Sequence, residues 1–463
     1  MKSSSERFLI AAVPLAAMLA VAAVGFQMVT DRNRNAAVAK LKTSPVIERY
    51  RKAHSAESNK TPPTESSTPR TSSETPVLST TPSESIAAFA AVFSRAQALR
   101  GSKRWNEIDD SLSNKPLKEW TEEDLAQLKA VLDESRGLIR EIRRLAEMGG
   151  PAYELDFSKG PAMELPHLAK LRELTRLLRF DAIVQARQGD YGEAVEDILA
   201  GMKLAVGTLA DEPILISQLV RIAMDGIMCQ AVQEALPPEG LSPDLARELV
   251  EYAGRIDCRD GFADSFSGEG LCGLGAFDEM RKGSPDTAGT PPTQAFLTQL
   301  YASAFARPWL NMDEETFAGN IARIGDASRL PYYEAKPLLG QIEREIGDLP
   351  RTRVLSYQLL PALTRAAEAQ ARNEAQLDLL QIGLSIEQYH ARNGAYPTTL
   401  DAIASDVGGS VPVDPFTGQP YIYKPSGDSF LLYSVGSNAV DDGGKFDYRT
   451  GDIVWRGVPE KKA

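Results

Sequence analysis

The chain is poor in the residues on which most enzymes and metalloproteins rely. Three cysteines and three histidines stand among 463 residues. Three cysteines exclude a disulfide-dense scaffold and a zinc site of four thiolates. His54, His167 and His390 are far apart and leave little for a histidine-based catalytic or metal centre. No HExxH, GxSxG, GxxxxGK[ST] or CxxC pattern occurs. Basic residues are also outnumbered: 51 Lys and Arg face 63 Asp and Glu, a net charge of −12. Such a chain lacks the basic excess of a nucleic-acid binder, so no nucleic acid is expected as a partner. Composition argues against an enzyme as the first expectation.

What is present divides unevenly along the chain. Phe8 to Val29 is a run of 22 residues without a charge. As a helix it would be about 33 Å long, against a hydrocarbon core of about 30 Å. Residues 8–29 therefore read as a transmembrane anchor, in which Pro14 is tolerable. A cleaved signal peptide is the competing reading, with Lys2 and Arg7 as its basic start and Ala20-Val21-Ala22 as a cleavage site. The apolar run continues past that site. Arg32, Arg34, Lys40, Lys42 and Arg49 follow the run, and by the positive-inside rule they favour a cytoplasmic C-terminal part. Residues 43–85 read as a disordered linker: 21 of the 31 residues from Ser55 to Ser85 are Ser, Thr or Pro, and none is aromatic. Its plainest role is a spacer that holds the folded part away from a membrane or through a wall layer.

The folded part begins near Ile86, and residues 86–349 read as a helical body. Thr121 and Asp124 have capping-box spacing. From Leu125 to Leu145 apolar residues recur at helical spacing, and Gly149-Gly150-Pro151 ends the run. Further helices are expected from Pro166, from Gly192 to Leu209, and from Asp211 to Leu236. The last is apolar nearly all round and should be central. Others are expected over Pro243–Ile256, Thr293–Phe305, Glu314–Ile324 and Pro331–Ile346. Ala186-Arg187-Gln188-Gly189-Asp190-Tyr191-Gly192-Glu193-Ala194 resembles the turn of a tetratricopeptide repeat, in one clear copy. Asp257–Met280 breaks the helical pattern and reads as a loop. Cys258 and Cys272 within it could form a disulfide in an oxidising compartment or remain thiols.

The last hundred residues carry the most specific pattern. A helix is expected from about Pro361 to Arg392, stopped at Asn393-Gly394. Then come Tyr396-Pro397, the segment Asp414-Pro415-Phe416-Thr417-Gly418-Gln419-Pro420-Tyr421, and a hairpin of Tyr421–Lys424 and Phe430–Ser434 around Pro425-Ser426-Gly427-Asp428. Ser434-Val435-Gly436 leads to Gly443-Gly444, and Asp452-Ile453-Val454-Trp455 closes the run.

Taken together, Ala366–Trp455 is similar to the globular half of the major pseudopilin of bacterial type II secretion. The resemblance implies a small α+β domain over residues 352–457, a long helix plus a three-stranded antiparallel sheet, on an otherwise mainly α chain. It also implies calcium in the last loop, with oxygens from Asn438, Asp441, Asp442, Asp447 and Asp452. Asn438 falls where the family has an Asp, and the loop is about one residue longer. The N-terminus departs from a pseudopilin: Glu6 precedes the apolar run, and over 300 residues separate anchor and module. Polymerisation as a pseudopilin is therefore not expected.

The expected protein is non-enzymatic and membrane-anchored, at the bacterial inner membrane with its soluble part on the periplasmic side. It would bind other envelope proteins through the scaffold and module, with secretion as the context. The alternative is an enzyme with an unrecognised site around Asp257–Met280.

Overall fold

The computed structural model describes residues 4–54, 82–112, 115, 117–235, 241–282, 303, 305–445 and 451–455. The architecture over these residues is mainly helical with one small three-stranded antiparallel sheet. The helices are α1 Ser4–Lys42, α2 Pro45–His54, α3 Pro82–Arg100, α4 Lys103–Leu112, α5 Glu122–Glu134, α6 Arg136–Met148, α7 Pro166–Arg187, α8 Tyr191–Leu209, α9 Leu215–Ala235, α10 Pro243–Ala253, α11 Asp260–Lys282, α12 Arg307–Ala327, α13 Tyr332–Gly347 and α14 Val354–Asn393. The strands are β1 Ile422–Ser426, β2 Ser429–Ser434 and β3 Ile453–Trp455.

Several local signals act as expected. Thr121 and Asp124 form a reciprocal capping box at the start of α5. Gly149 caps α6, and Gly394, in the left-handed conformation, caps α14. The α7–α8 hairpin turns at Gly189, and Asp190 accepts the Glu193 amide at 3.2 Å to start α8. The run expected as one helix over Leu125–Leu145 is two, α5 and α6, because Ser135 leaves helical geometry at φ −99°, ψ 6°. Pro361 lies seven residues inside α14 rather than in its first turn, so the helix forgoes one backbone bond there. Of the helix expected over Thr293–Phe305, residues 293–302 lie outside the described residues.

Three expectations are corrected by packing. First, α1 continues thirteen residues past the apolar run, and this second half belongs to the body. Val38 and Leu41 are buried in a core with Phe266, Phe317 and Ile321. Arg34 Nε donates to Glu314 Oε2 at 2.9 Å, and Arg281 joins the same buried carboxylate. Asn311 Nδ2 donates to Asp31 Oδ1 at 2.7 Å. Second, residues 45–54 of the expected linker form α2, with Ile47 and Tyr50 buried. The apolar faces of Val46, Ile47 and Tyr50 overcome the polar flanks. Residues 55–81 lie outside the described residues, and their neighbours α2 and α3 both pack on the body, where Phe89 is fully buried.

Third, Asp257–Met280 is mostly a helix, α11, although it carries five glycines. The glycines are packing devices. A Cβ at Gly268 would overlap the Pro213 carbonyl oxygen, one at Gly273 would overlap the Phe317 ring, and one at Gly270 would meet Leu41 at 3.0 Å. Helix α11 thus lets α1, α12 and the turn before α9 approach its backbone. Cys258 and Cys272 are both free thiols, as is Cys229.

Helix α14 ties the molecule together. Its first half packs beside α12 and α13, and its middle beside α9 and α10. Its last turns carry the sheet, where Gly383 leaves room for the Trp455 indole of β3. One core cluster includes Ala371, Leu379 and Leu384 of α14 together with Val232, Leu249, Leu432 and Trp455. The sheet order is β1-β2-β3, with Ile422 opposite Tyr433 and Leu432 opposite Trp455.

Candidate functional site

Helix α9 is apolar enough and long enough to cross a membrane, yet over half of its most apolar stretch is buried inside the protein. Arg221 and Asp225 lie on it one turn apart and are both fully buried. Two opposite charges at that spacing inside an apolar helix need partners from elsewhere. The chain supplies them from the α10–α11 turn and from α14. Arg221 Nη1 donates to the Asp257 carbonyl at 2.9 Å, and Asn373 Nδ2 donates to Asp225 Oδ2 at 3.2 Å. Asp225 Oδ1, Asn373 Oδ1, Arg221 Nε and both amide atoms of Gln370 are buried with no partner among the described residues.

Above this network opens a polar cavity of about 330 Å³. Its charged lining comes from the α10–α11 turn (Asp257, Arg259, Asp260), from Arg329 after α12, and from Glu374 and Asp378, one turn apart on α14. Arg259 Nη2 donates to Glu374 Oε1 at 2.9 Å, and the Tyr421 hydroxyl donates to Asp378 Oδ2 at 2.7 Å. Burial pushes the Asp378 carboxyl up to about 7 and the Asp225 carboxyl up to about 6. Burial also raises the Cys258 thiol, so it is not a ready nucleophile. The cavity therefore offers a neutral-range carboxyl, paired arginines and carboxylates, suited to holding a small polar or charged group.

A carboxyl with a raised pKa binds its proton more tightly in the folded state. Its contribution to stability is full below the unfolded value of about 3.9 and is lost as pH rises through the folded value. Wild-type stability should consequently fall between pH 5 and 8. Asp378→Asn, which keeps an acceptor for Tyr421, should flatten that fall. Melting temperatures at pH 5, 6, 7 and 8 check this; parallel curves for the two proteins would refute it.

The loop expected to take calcium is held by its own hydrogen bonds. Asp452 is fully buried, and its two carboxylate oxygens accept the Asp442 and Gly444 amides at 3.4 and 2.7 Å. Asp441 Oδ1 accepts the Tyr433 hydroxyl at 2.7 Å and the Gly443 amide at 2.8 Å. Asn438 Nδ2 donates to Asp442 Oδ2 at 3.0 Å. Four of the five candidate residues thus lie in the described part of the loop, where Asp441 and Asp452 are tied to loop amides and Asn438 to Asp442. Asp447 lies outside the described residues. Among the described residues, no three His, Cys, Asp or Glu groups converge as they would around a metal ion.

His167 and His390 sit in separate surroundings. His167 is buried: Nε2 lies 3.2 Å from Glu212 Oε2, and its ring stacks on Tyr153 at 5.0 Å. Ser217 Oγ donates to the same carboxylate at 2.6 Å. His390 is half-buried and stacks on Tyr396 at 4.2 Å. Sequence reading missed Arg221, Asp225, Asn373, Glu374 and Asp378. A charged pair one turn apart in an otherwise apolar helix was the available signal. Comparison with family models, curated proteins and solved structures finds no match for this chain.

Proposed function

We propose that this chain is a non-enzymatic, single-pass membrane protein of a bacterial envelope that presents a helical scaffold and a pseudopilin-like module to partner envelope proteins. Type II secretion is the proposed context, with the folded part on the periplasmic side. The observation that carries the reading is α1. Its apolar N-terminal half runs without a break into a half locked to the body by Arg34–Glu314 and by Val38 and Leu41. A membrane insertion of the first half would thus be transmitted rigidly to the scaffold. The motifs from Tyr396 to Trp455 support the module. Fractionation tests it: the full chain should stay in the membrane pellet after alkaline carbonate washing, and a chain starting at Thr30 should not. Protease should digest the body in spheroplasts. A full chain found wholly in the soluble fraction would overturn the proposal.

Calcium in the 438–452 loop belongs to the same reading, supported by the resemblance and by the oxygen-bearing side chains of Asn438, Asp441, Asp442 and Asp452 within one loop. Oxygen ligands of this class suit that ion. Millimolar calcium is expected to raise the melting temperature; an unchanged value defeats the idea.

One observation favours a second reading, an enzyme or ligand-binding protein: the polar cavity at Asp257–Asp260, with its neutral-range carboxyl. A small polar compound that raises the melting temperature of wild type, but not of Glu374→Gln, would select it.

A further inference from the structure

From Val24 to Val29, α1 carries an apolar face that the body leaves uncovered. Met28 is 66% exposed, and Val24, Phe26 and Val29 are exposed beside it. The body adds aromatic rings at the same level. Phe26 packs edge-on against Trp309, with ring centroids 6.4 Å apart, and Phe305 lies 5.3 Å from Trp309. Phe305 is 78% exposed. Arg32 on α1 and Arg307 on α12 are exposed nearby.

We propose that this collar seats the body directly on the lipid surface, with the headgroup layer of the bilayer as its occupant. The inference rests on the membrane-anchor reading and deepens it. Three physical points select lipid as the occupant. The collar is continuous with the 22-residue uncharged run on one unbroken helix. From Phe8 to Phe26 is about 27 Å of helix, which matches the hydrocarbon core of about 30 Å and brings the collar to the interface. Exposed Phe26 and Phe305 around a half-buried Trp309, flanked by arginines, are what that interface accommodates: rings at the headgroup level and guanidinium groups reaching its phosphates.

The seat is rigid as well as apolar. Asp31 is held by Asn311 and Arg34 by Glu314 immediately beyond the collar, so the body cannot swing away from α1 without breaking buried contacts. It follows that the Ser/Thr/Pro-rich segment is not a stalk between anchor and body. The chain reaches the body first, through α1 and α2, and only then enters residues 55–81 on its way to α3.

The test uses the full chain in vesicles of phosphatidylethanolamine and phosphatidylglycerol. A nitroxide is placed at Phe305→Cys, with Asp428→Cys at the hairpin tip as the aqueous reference, both in a Cys272→Ala background. Collision with oxygen and with a nickel chelate is read by power saturation. The label at 305 should favour oxygen severalfold over nickel, and the label at 428 the reverse. A 305 label as aqueous as 428, in protein that still sediments with the vesicles, overturns the seat and leaves the anchor standing. A 305 label sheltered from both probes indicates a protein contact and also overturns the seat. Protein that fails to sediment with the vesicles overturns the anchor reading, and the seat falls with it.

Discussion

Gly268→Ala is expected to destabilise the protein by about 3 kcal/mol or more, at the upper end of overpacking costs. A Cβ there would overlap the Pro213 carbonyl oxygen and crowd Phe157. Backbone cannot turn aside as a side chain can, so α11 must move away from the turn before α9. That movement would loosen the core shared by Phe262, Phe266 and Phe317. Gly273→Ala should cost less, because its obstacle is the Phe317 ring, which has rotamers to use. Gly319 is the control. It lies within α12 with nothing near its missing Cβ, so Gly319→Ala should be neutral or stabilising by up to about 1 kcal/mol. Urea midpoints of the three variants give the ranking. Equal effects at 268 and 319 would show that α11 does not pack as described.

Asp313→Ala is expected to cost about 3 kcal/mol, in the range for stranding buried amides and losing hydrogen bonds to a charged group. Asp313 lies on α12 and is almost fully buried. Its carboxylate accepts the Leu355 amide at 2.9 Å and the Ser356 amide at 3.1 Å, and the Ser356 hydroxyl donates to its carbonyl at 3.0 Å. These amides are orphan donors of the first turn of α14, whose own N-cap residue, Arg353, cannot accept them. The cap is therefore supplied by another helix. Asp313→Asn, with a single carbonyl oxygen, should lose roughly half as much by the same count of bonds. Hydrogen exchange at Leu355 and Ser356 should accelerate in Asp313→Ala well beyond that at Ala375, in the middle of α14. Uniform acceleration along the helix would argue against a local cap.

These two sites explain why the sequence was legible in some places and opaque in others. Thr121 and Asp124 sit three residues apart and satisfy each other's backbone, so their role can be read from the chain. The α14 cap joins residues more than forty apart, and no local pattern contains it. The same divide runs through the candidate site. Glu374, Asp378 and Gln381 share one face of α14 by spacing alone. That this face meets Arg259 and Tyr421 is a consequence of how α10, α14 and the sheet assemble.

The sequence by itself determined the helical character of the body, most helix positions from Glu122 onward, and the hairpin around Gly427. It did so because helical and strand periods and glycine turns are properties of neighbouring residues. The tertiary structure alone decided the rest. Helix α11 forms despite five glycines because close packing repays what propensity lacks. Arg221 and Asp225 enter the core because Asp257 and Asn373 meet them there. The scarcity of histidine and cysteine is matched by a structure that keeps His167 and His390 apart and leaves all three thiols free. The polar chemistry that remains is carboxylate and guanidinium, gathered from distant parts of the chain. Burial and long-range contact are global properties, and only the folded chain expresses them.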